Sequence, residues 1–314
     1  MVVSLDVKKQ LVCPATQSEL KDCGAYLEST GDPSIHYPIV GGIPILIDDN
    51  KSLFSIEDFV SKKSTTFDLA PKNPLKKNLK KLIPQTDLNV RAEQNYRQLA
   101  SLLPNNAKIL VVGGSIQGQG MEPIFANESF EIIGSDVSFG ECTAIVCDAH
   151  DLPFKDQTFD CVIVQAVLEH VLDPARCVAE IHRVLKADAI VYAETPFMQQ
   201  VHMKQYDFTR FTHLGHRWLF KNFEEIASGP CCGPAMALSW SYTAFLRSFA
   251  TSTILDRLLY NFAHLTSFFF KYFDYLLIDR PGSYDAASGY YFMGRKSDRC
   301  LTYEELIQQF QGIK

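Results

Sequence analysis

Two aspartates follow apolar segments at a spacing that could hold a nucleoside. Asp136 ends the predicted strand Glu131-Ile-Ile-Gly-Ser-Asp136, and Asp148 lies in the segment Cys147-Asp-Ala-His-Asp-Leu-Pro-Phe154. If this predicted strand is the second of a parallel sheet, Asp136 lies at its carboxyl end, where such sheets bind ligands. A carboxylate at this position can accept hydrogen bonds from both ribose hydroxyls. The spacing therefore predicts a nucleoside site.

A loop of small residues precedes these aspartates. The apolar run 108–112 leads directly into Gly113-Gly-Ser-Ile-Gln-Gly-Gln-Gly120. Small residues let backbone amides approach a ligand closely. The loop is therefore predicted to contact the same ligand as Asp136.

Glu169 and His170 come just past the fourth predicted strand, at the mouth of the expected cleft. His170 is a candidate general base, because an acceptor group that must lose a proton needs one. It could instead begin or cap the next helix. Glu169 is predicted to contact the substrate.

A polar and aromatic loop follows the fifth predicted strand. Within it, His202 and Asp207 are candidate catalytic residues, and Tyr206 and Arg210 are candidate substrate contacts. Loops after strand ends commonly carry functional residues. Asp207 and Arg210 could instead pair with each other, since they are three residues apart.

Strands and helices alternate from Lys108 to Thr195, after a predicted helix over 91–103. This alternation predicts a parallel sheet with helices on both faces. After Phe197 the pattern changes, with a strand at 223–228, a strongly helical stretch at 243–278 and a last strand at 289–295. The charged residues within 243–278 argue against a membrane span. That stretch could form a lid, a dimer contact, a membrane-surface patch or ordinary core.

The composition is that of a mildly acidic globular protein. The chain has 314 residues, 46% of them hydrophobic, and a net charge of −6. The negative charge argues against nucleic acid as a partner. The nine cysteines follow no paired framework, which suits a reducing compartment. With no apolar signal segment and no stretch as long as a membrane span, we expect a cytoplasmic protein and leave contact with a membrane surface open.

Taken in series, these segments resemble a class I S-adenosylmethionine-dependent methyltransferase. The resemblance rests on the glycine-rich loop, Asp136, the segment after Cys147, and Leu168-Glu-His-Val-Leu-Asp-Pro174. It implies a doubly wound, mostly parallel, Rossmann-like α/β sheet of seven strands. It also implies S-adenosylmethionine as cofactor and S-adenosylhomocysteine as product. The implied cofactor contacts are Gly113, Gly114, Ser115, Asp136, Val137, Asp148, Ala149 and Gln165.

Two positions of the chain depart from the family pattern. Val111 stands where the first strand usually carries an acid that helps to order the methionine end of the cofactor, and Ser115 replaces a glycine. These changes leave open a relative that binds the cofactor without turnover. The later segments 196–213, 229–240 and 287–296 resemble methyltransferases associated with surface-polysaccharide and glycan biosynthesis, which implies a glycan precursor or related small acceptor.

Residues 1–60 are predicted as a small, separate α+β domain. Cys13-Pro14 and Tyr37-Pro-Ile-Val-Gly-Gly-Ile-Pro44 resemble the zinc-ribbon-like activator subunit of some tRNA and translation-factor methyltransferases. The second cysteine of that pattern is Thr16 here. A structural zinc site wants four ligands, and three candidates remain: Cys13, Cys23 and His36. We therefore predict a ribbon-like domain without metal, and no metal elsewhere in the chain.

The remaining chain divides into a linker and a large domain. Residues 61–90 are predicted as a linker with a basic helix over 71–84, and residues 91–314 as the methyltransferase domain, with a helical insert at about 240–280. The predicted function is methyl transfer to an oxygen or nitrogen of a small molecule or glycan precursor. Two alternatives stay open: a tRNA-modifying enzyme with a fused activator, and a non-catalytic scaffold.

Overall fold

The computed structural model describes residues 5–61, 63 and 84–314. The predicted basic helix over 71–84 lies outside these residues, apart from Pro84. The N-terminal segment contains α1 (Leu5–Lys8), β1 (Leu20–Asp22), β2 (Tyr26–Ser29), β3 (His36–Val40), β4 (Ile43–Leu46) and α2 (Ile56–Val60). β3 pairs with β4 in a hairpin, and Gly41 and Gly42 at its turn both have positive φ.

Seven strands and most of the helices follow between residues 92 and 296. They are α3 (Ala92–Leu102), β5 (Lys108–Val112), α4 (Glu122–Phe125), β6 (Glu131–Asp136), β7 (Thr143–Cys147), β8 (Phe159–Gln165), α5 (Pro174–Val184), β9 (Leu185–Pro196), α6 (His213–Leu219), β10 (Phe223–Cys232), α7 (Pro234–Arg247), α8 (Thr253–Ser267), α9 (Asp274–Leu277), α10 (Pro281–Ala286) and β11 (Gly289–Lys296). A last helix, α11 (Tyr303–Gln308), ends the described elements.

All strands belong to one mixed sheet in the order β1-β2-β3-β4-β7-β6-β5-β8-β9-β11-β10. The pairs from β4 to β9 are parallel, whereas β11 runs antiparallel between β9 and β10. The predicted α/β class with a mostly parallel centre is therefore present, but the sheet has eleven strands where seven were expected. The strand order changes direction at β5, between β6 and β8, which places a topological switch point there.

The side chains of β5 alternate between the two faces of the sheet, as successive side chains of a strand must. Ile109 and Val111 pack with Tyr96 and Leu99 of α3, whereas Leu110 packs on the opposite face. Leu110 shares its face with Val178 and Ile181 of α5, whose first turn is capped by the Asp173 carboxylate accepting from the Arg176 N–H. Helices thus cover both faces and hold the strand ends in place.

The N-terminal segment continues the central sheet. Ile45 and Leu46 of β4 pair with the edge strand β7, and Leu11 forms a bridge with Phe154. Buried Tyr37 belongs to the same apolar cluster as the β5 side chains that face α5. The segment therefore covers an otherwise open strand edge, and the boundary of a separate domain at residue 60 stays a prediction.

The helical insert begins at Pro234, earlier than the predicted 243. Much of its apolar surface is exposed, including Phe245, Phe249, Ile254, Leu258, Phe262, Leu265, Tyr275 and Leu276. Core packing therefore does not account for all of its aromatic and aliphatic residues. Within the described ranges, every helix is too short or too polar to cross a membrane.

Candidate active site

A cleft lies beyond the carboxyl ends of the parallel strands, at the switch point beside β5. It contains a larger cavity of about 380 Å³ and a smaller one of about 100 Å³. Both are lined by Val112, Gly113 and Ala166, so the two cavities adjoin. This is the position predicted for the ligand from the order of the strands.

Asp136 ends β6 and lines the smaller cavity together with Val137. Its Oδ2 accepts a hydrogen bond of 3.1 Å from the backbone N–H of Ser115. Burial raises the pKa of this carboxyl, and the contacts with Ser115 oppose that shift. Asp136 therefore joins the small-residue loop to the cavity, with capacity left to accept from a ligand.

Asp148 and Ala149 line the same small cavity from the loop after β7. The Ser52 hydroxyl donates to Asp148 Oδ2 at 2.5 Å, and the His150 Nδ1–H donates to Oδ1 at 2.6 Å. The tautomer follows from His150 Nε2, which accepts from the Asp173 N–H. Burial favours the neutral acid, but the hydrogen bonds outweigh it and lower the pKa of Asp148. The carboxylate is thus held in a fixed orientation at the cavity wall.

The small-residue loop begins with a glycine that no other residue could replace easily. Gly113 has φ +71°, and a Cβ there would lie 2.2 Å from Cγ2 of Val167. A Cβ on Gly114 would lie 2.8 Å from the carbonyl oxygen of Val111. The close packing of this turn keeps the backbone against the cleft.

A buried carboxylate on β9 faces the larger cavity, and the sequence did not single it out. Glu194 accepts hydrogen bonds from the Tyr192 hydroxyl at 2.5 Å and from the amides of Gln165 and Asn89, each at 2.9 Å. Burial raises its pKa, against the effect of these three donors. Val111 lines the same cavity. An acidic residue is therefore present at this end of the cleft. It lies on β9, two strands away from the β5 position of Val111, where the family usually has an acid.

Glu169, His170 and His202 meet where the two cavities adjoin. One ligating atom from each lies within 4.8 Å of the others. Glu169 is fully buried, and burial raises the pKa of its carboxyl to about 8. His170 Nδ1 donates to the Tyr206 carbonyl at 2.7 Å, and burial lowers the pKa of this imidazole to about 4. His170 is therefore neutral at pH 7, with Nε2 as its free acceptor.

Asp207 and Arg210 organise the loop that carries His202. They form a two-pronged ion pair, and Arg210 also donates to the carbonyls of Gln199 and Gln200. Burial favours the neutral form of Asp207, but Arg210 and the N–H of His202 outweigh it and hold the pKa of Asp207 below its usual value. Pairing with each other, one of the two readings left open by the sequence, is thus observed.

The sequence-predicted residues fall into three groups. The larger cavity is lined by Gly113, Ser115, Gln165, Glu169 and His202. The smaller is lined by Gly113, Asp136, Val137, Asp148, Ala149 and His170. Neither cavity is lined by Gly114, Tyr206, Asp207 or Arg210. The catalytic, substrate and cofactor roles of all these residues stay predictions. Asp207 and Arg210 pair with each other within the loop, whereas the Tyr206 carbonyl accepts from His170 and its ring contacts Phe54.

The far wall of the larger cavity comes from segments that the sequence did not assign to the site. Met236 and Trp240 of α7 line it, as do Cys231 and Cys232 at the end of β10. Ser52 and Phe54 reach the smaller side from the N-terminal segment. No local motif marks these positions, because their approach depends on how distant elements pack.

Part of the chain is similar to a known family. Residues 114–193 match the family model described as a methyltransferase domain. The match spans the loop after β5 through β9, including Asp136, Asp148 and Glu169. It supports the prediction of an S-adenosylmethionine-dependent methyltransferase with a Rossmann-like sheet. No curated protein matches the chain.

Solved structures with a similar fold are distant. A putative sarcosine dimethylglycine methyltransferase from Galdieria sulphuraria is 15% identical, with 66% of this chain and 86% of that one covered at a TM-score of 0.43. Phosphoethanolamine N-methyltransferase 2 from Haemonchus contortus is 14% identical, with 66% and 53% covered and a TM-score of 0.43. A complex of the Haloferax volcanii Trm112 methyltransferase activator with a putative methyltransferase is 16% identical, with 72% and 95% covered and a TM-score of 0.40.

Proposed function

We propose that this chain transfers the methyl group of S-adenosylmethionine to an oxygen or nitrogen of a small molecule or glycan precursor. The observation that carries the proposal is the pair of adjoining cavities. The smaller holds two aspartates suited to a nucleoside, and the larger offers about 380 Å³ beside it. Acceptor and cofactor can therefore lie side by side across Gly113.

The cofactor supplies an electrophilic methyl group, and the protein supplies alignment. In this proposal Asp136 accepts from the ribose hydroxyls, and Asp148 accepts from the adenine amino group. Ser115 and Gln165 border the methionine end, where Glu194 provides negative charge toward the ammonium group. Holding acceptor, methyl and sulfur in line supplies much of the acceleration.

A base is required only for an acceptor that must lose its proton. His170 fits this role, because it is neutral at pH 7 and its Nδ1 is fixed by the Tyr206 carbonyl, which leaves Nε2 to accept. His202 lies at 4.7 Å from it, centroid to centroid. We also propose a cytoplasmic location, in keeping with nine unpaired cysteines, all of them within the described residues.

The test is calorimetric titration of the purified full chain with S-adenosylhomocysteine, followed by transfer from labelled S-adenosylmethionine to a panel of acceptors. We expect binding near one molecule per chain and transfer to a small hydroxyl or amine acceptor. Absence of binding would refute the proposal. Transfer to tRNA alone would favour the alternative of a tRNA-modifying enzyme with a fused activator, and binding without any transfer would favour the scaffold.

A further inference from the structure

The group formed by Glu169, His170 and His202 has a feature that methyl transfer alone does not explain. Glu169 is 0% exposed, and neither of its carboxylate oxygens has a hydrogen-bond partner among the residues that the structure describes. Its backbone carbonyl, by contrast, accepts from the N–H groups of Phe208 and Thr209. An unsatisfied buried carboxyl costs folding free energy, because it leaves water without replacing its hydrogen bonds. Such a group calls for a ligand.

The two imidazoles are oriented as metal-binding histidines commonly are. His170 donates from Nδ1 to a backbone carbonyl, and its Nε2 lies 3.6 Å from Glu169 Oε1. The Nδ1 of His202 is hydrogen-bonded to the Gln200 carbonyl at 3.4 Å and lies 3.2 Å from Asp207 Oδ2, and Asp207 is itself held by Arg210. A hydrogen bond on one ring nitrogen that fixes the ring and leaves the other nitrogen free is the usual support of a metal-binding histidine.

We propose that Glu169, His170 and His202 bind a divalent first-row transition-metal ion at the junction of the two cavities. Two imidazoles and one carboxylate form a ligand set that such ions accept with coordination positions left open. Bonds of about 2.1 Å in tetrahedral geometry separate ligand atoms by about 3.4 Å. The observed 3.6 Å between His170 and Glu169 fits, and the 4.8 Å limit for the trio requires a side chain to shift by at most about 1.4 Å.

We expect the side chain of His202 to make this shift, because it is the most exposed of the three. Its side chain is 34% exposed, whereas that of Glu169 is 1% exposed. Glu169 and His202 line the larger cavity, and His170 lines the smaller. The ion's open positions therefore face the space assigned to the acceptor.

The role of the ion rests on the proposed function. With the ion bound, His170 Nε2 is a ligand and no longer accepts the proton, so an acceptor hydroxyl bound to the ion loses its proton to water, which is easier because the metal charge stabilises the alkoxide. That oxygen then forms a bond to the methyl carbon as the carbon–sulfur bond breaks, which releases S-adenosylhomocysteine. The inference therefore favours an acceptor with a hydroxyl group over an amine. It also departs from the sequence-based expectation of a chain without metal.

The experiment uses the tag-free full chain, stripped with a chelator and titrated with Co²⁺. Visible absorption reports the ligand field, and elemental analysis reports the stoichiometry. We expect one Co²⁺ per chain, with affinity reduced about tenfold or more in Glu169→Gln and in His202→Ala, because each removes one direct ligand. Glu169→Gln keeps the shape of the side chain, and His202→Ala changes an exposed ring, so folding can be verified for both by circular dichroism.

The chain offers a matched control on its surface. His36 Nε2 and Glu28 Oε2 are also 3.6 Å apart, but the side chain of His36 is 46% exposed and no third ligand from the described part of the chain joins them. Glu28→Gln and His36→Ala should leave Co²⁺ binding unchanged. The proposal fails if the wild-type chain binds no Co²⁺, or if Glu169→Gln and His202→Ala bind it as the wild type does. Titration of the metal-free protein with S-adenosylhomocysteine keeps the two proposals apart, since loss of that binding counts only against the proposed function.

Discussion

The Asp136 carboxylate binds the small-residue loop and also faces the cavity proposed for the nucleoside. It accepts from the Ser115 N–H, and it lines the cavity assigned to the nucleoside. Replacing it by asparagine removes the charge and turns one acceptor into a donor. Hydrogen bonds to a charged group contribute about 1.5–3 kcal/mol, so Asp136→Asn should weaken S-adenosylhomocysteine binding by about 10- to 100-fold in calorimetry.

The control for this change is Asp188→Asn. Asp188 is exposed, and the hydrogen bond recorded for it uses its backbone carbonyl rather than its side chain. Its φ of +59° suits asparagine as well as aspartate. Equal affinity of Asp136→Asn and Asp188→Asn would remove Asp136 from the ribose site.

Substituting Gly113 shows whether steric contact or the positive φ makes glycine necessary at the start of the loop. Gly113→Ala meets both a positive φ, at about 1 kcal/mol, and a contact of 2.2 Å with Val167, at about 1–3 kcal/mol more. Gly24→Ala meets a positive φ alone, since nothing lies within 4 Å of its Cβ. We expect the free energy of unfolding in urea to fall further for Gly113→Ala. Equal losses would mean that Val167 moves aside.

At this scale the sequence could place only the residues whose position follows from strand order. Asp136 and Asp148 were predicted at the cleft because the first ends a strand and the second follows one, and both line the smaller cavity. Their contacts with the cofactor stay predictions. Glu194 sits on a strand too, but its environment depends on Asn89, which is far away in the chain. Ser52 likewise meets Asp148 only after the N-terminal segment has packed. Such contacts leave no local pattern in the sequence.

A buried aspartate joins two helices of the helical insert, α7 and α9. Asp274, at the start of α9, accepts from the N–H groups of Ala235 and Met236 at the start of α7, both at 2.9 Å. Asp274→Ala strands both donors in a buried site, so we expect it to lower the free energy of unfolding by about 2–4 kcal/mol. The measurement is urea denaturation followed by circular dichroism.

Asp256→Ala is the matched control for the insert. Asp256 forms an ion pair with Arg247, but both side chains are well exposed, so its loss should lower the free energy of unfolding much less than the loss of Asp274. Because Met236 lines the larger cavity, Asp274→Ala should also alter acceptor use more than Asp256→Ala does. Similar stability of the two variants would contradict the role given to Asp274.

Elements were predicted well where periodicity is strong. The strands β5 and β6 and the helix α3 lie within a residue of their predicted bounds. The insert was placed too late because Pro234 starts α7, and proline is tolerated in the first turn of a helix. The pairing of β4 with β7 was not predicted, because residues 1–60 were expected to form a separate domain. Pairing between strands far apart in the chain depends on the tertiary fold and leaves no local pattern.

At the scale of the whole molecule, the N-terminal segment takes part in the cleft. Its β4 extends the sheet at β7, and Ser52 donates to Asp148 at the nucleoside cavity. We expect S-adenosylhomocysteine to slow trypsin cleavage within residues 1–60, because a ligand that binds the packed form stabilises that form. The cleavage products are measured by mass spectrometry. Ser52→Ala should reduce this protection, whereas Ser34→Ala should not, because Ser34 is exposed and its hydroxyl donates to nearby Asp32.

Protection that is identical in wild type and Ser52→Ala would mean that the segment docks independently of the nucleoside cavity. Protection lost in both serine variants would point to a general weakening of the segment rather than to the contact with Asp148. The comparison therefore isolates one hydrogen bond.

The contact between Ser52 and Asp148 also has a reciprocal consequence. If cofactor favours docking of the segment, docking must favour cofactor by the same factor, because coupling free energies are mutual. Anything that draws residues 1–60 away, such as a competing protein or a truncation, would then lower the apparent affinity for cofactor without touching the glycine loop or Asp136. The strands β1 to β4 at the sheet edge would in that case regulate the fraction of the protein that holds cofactor.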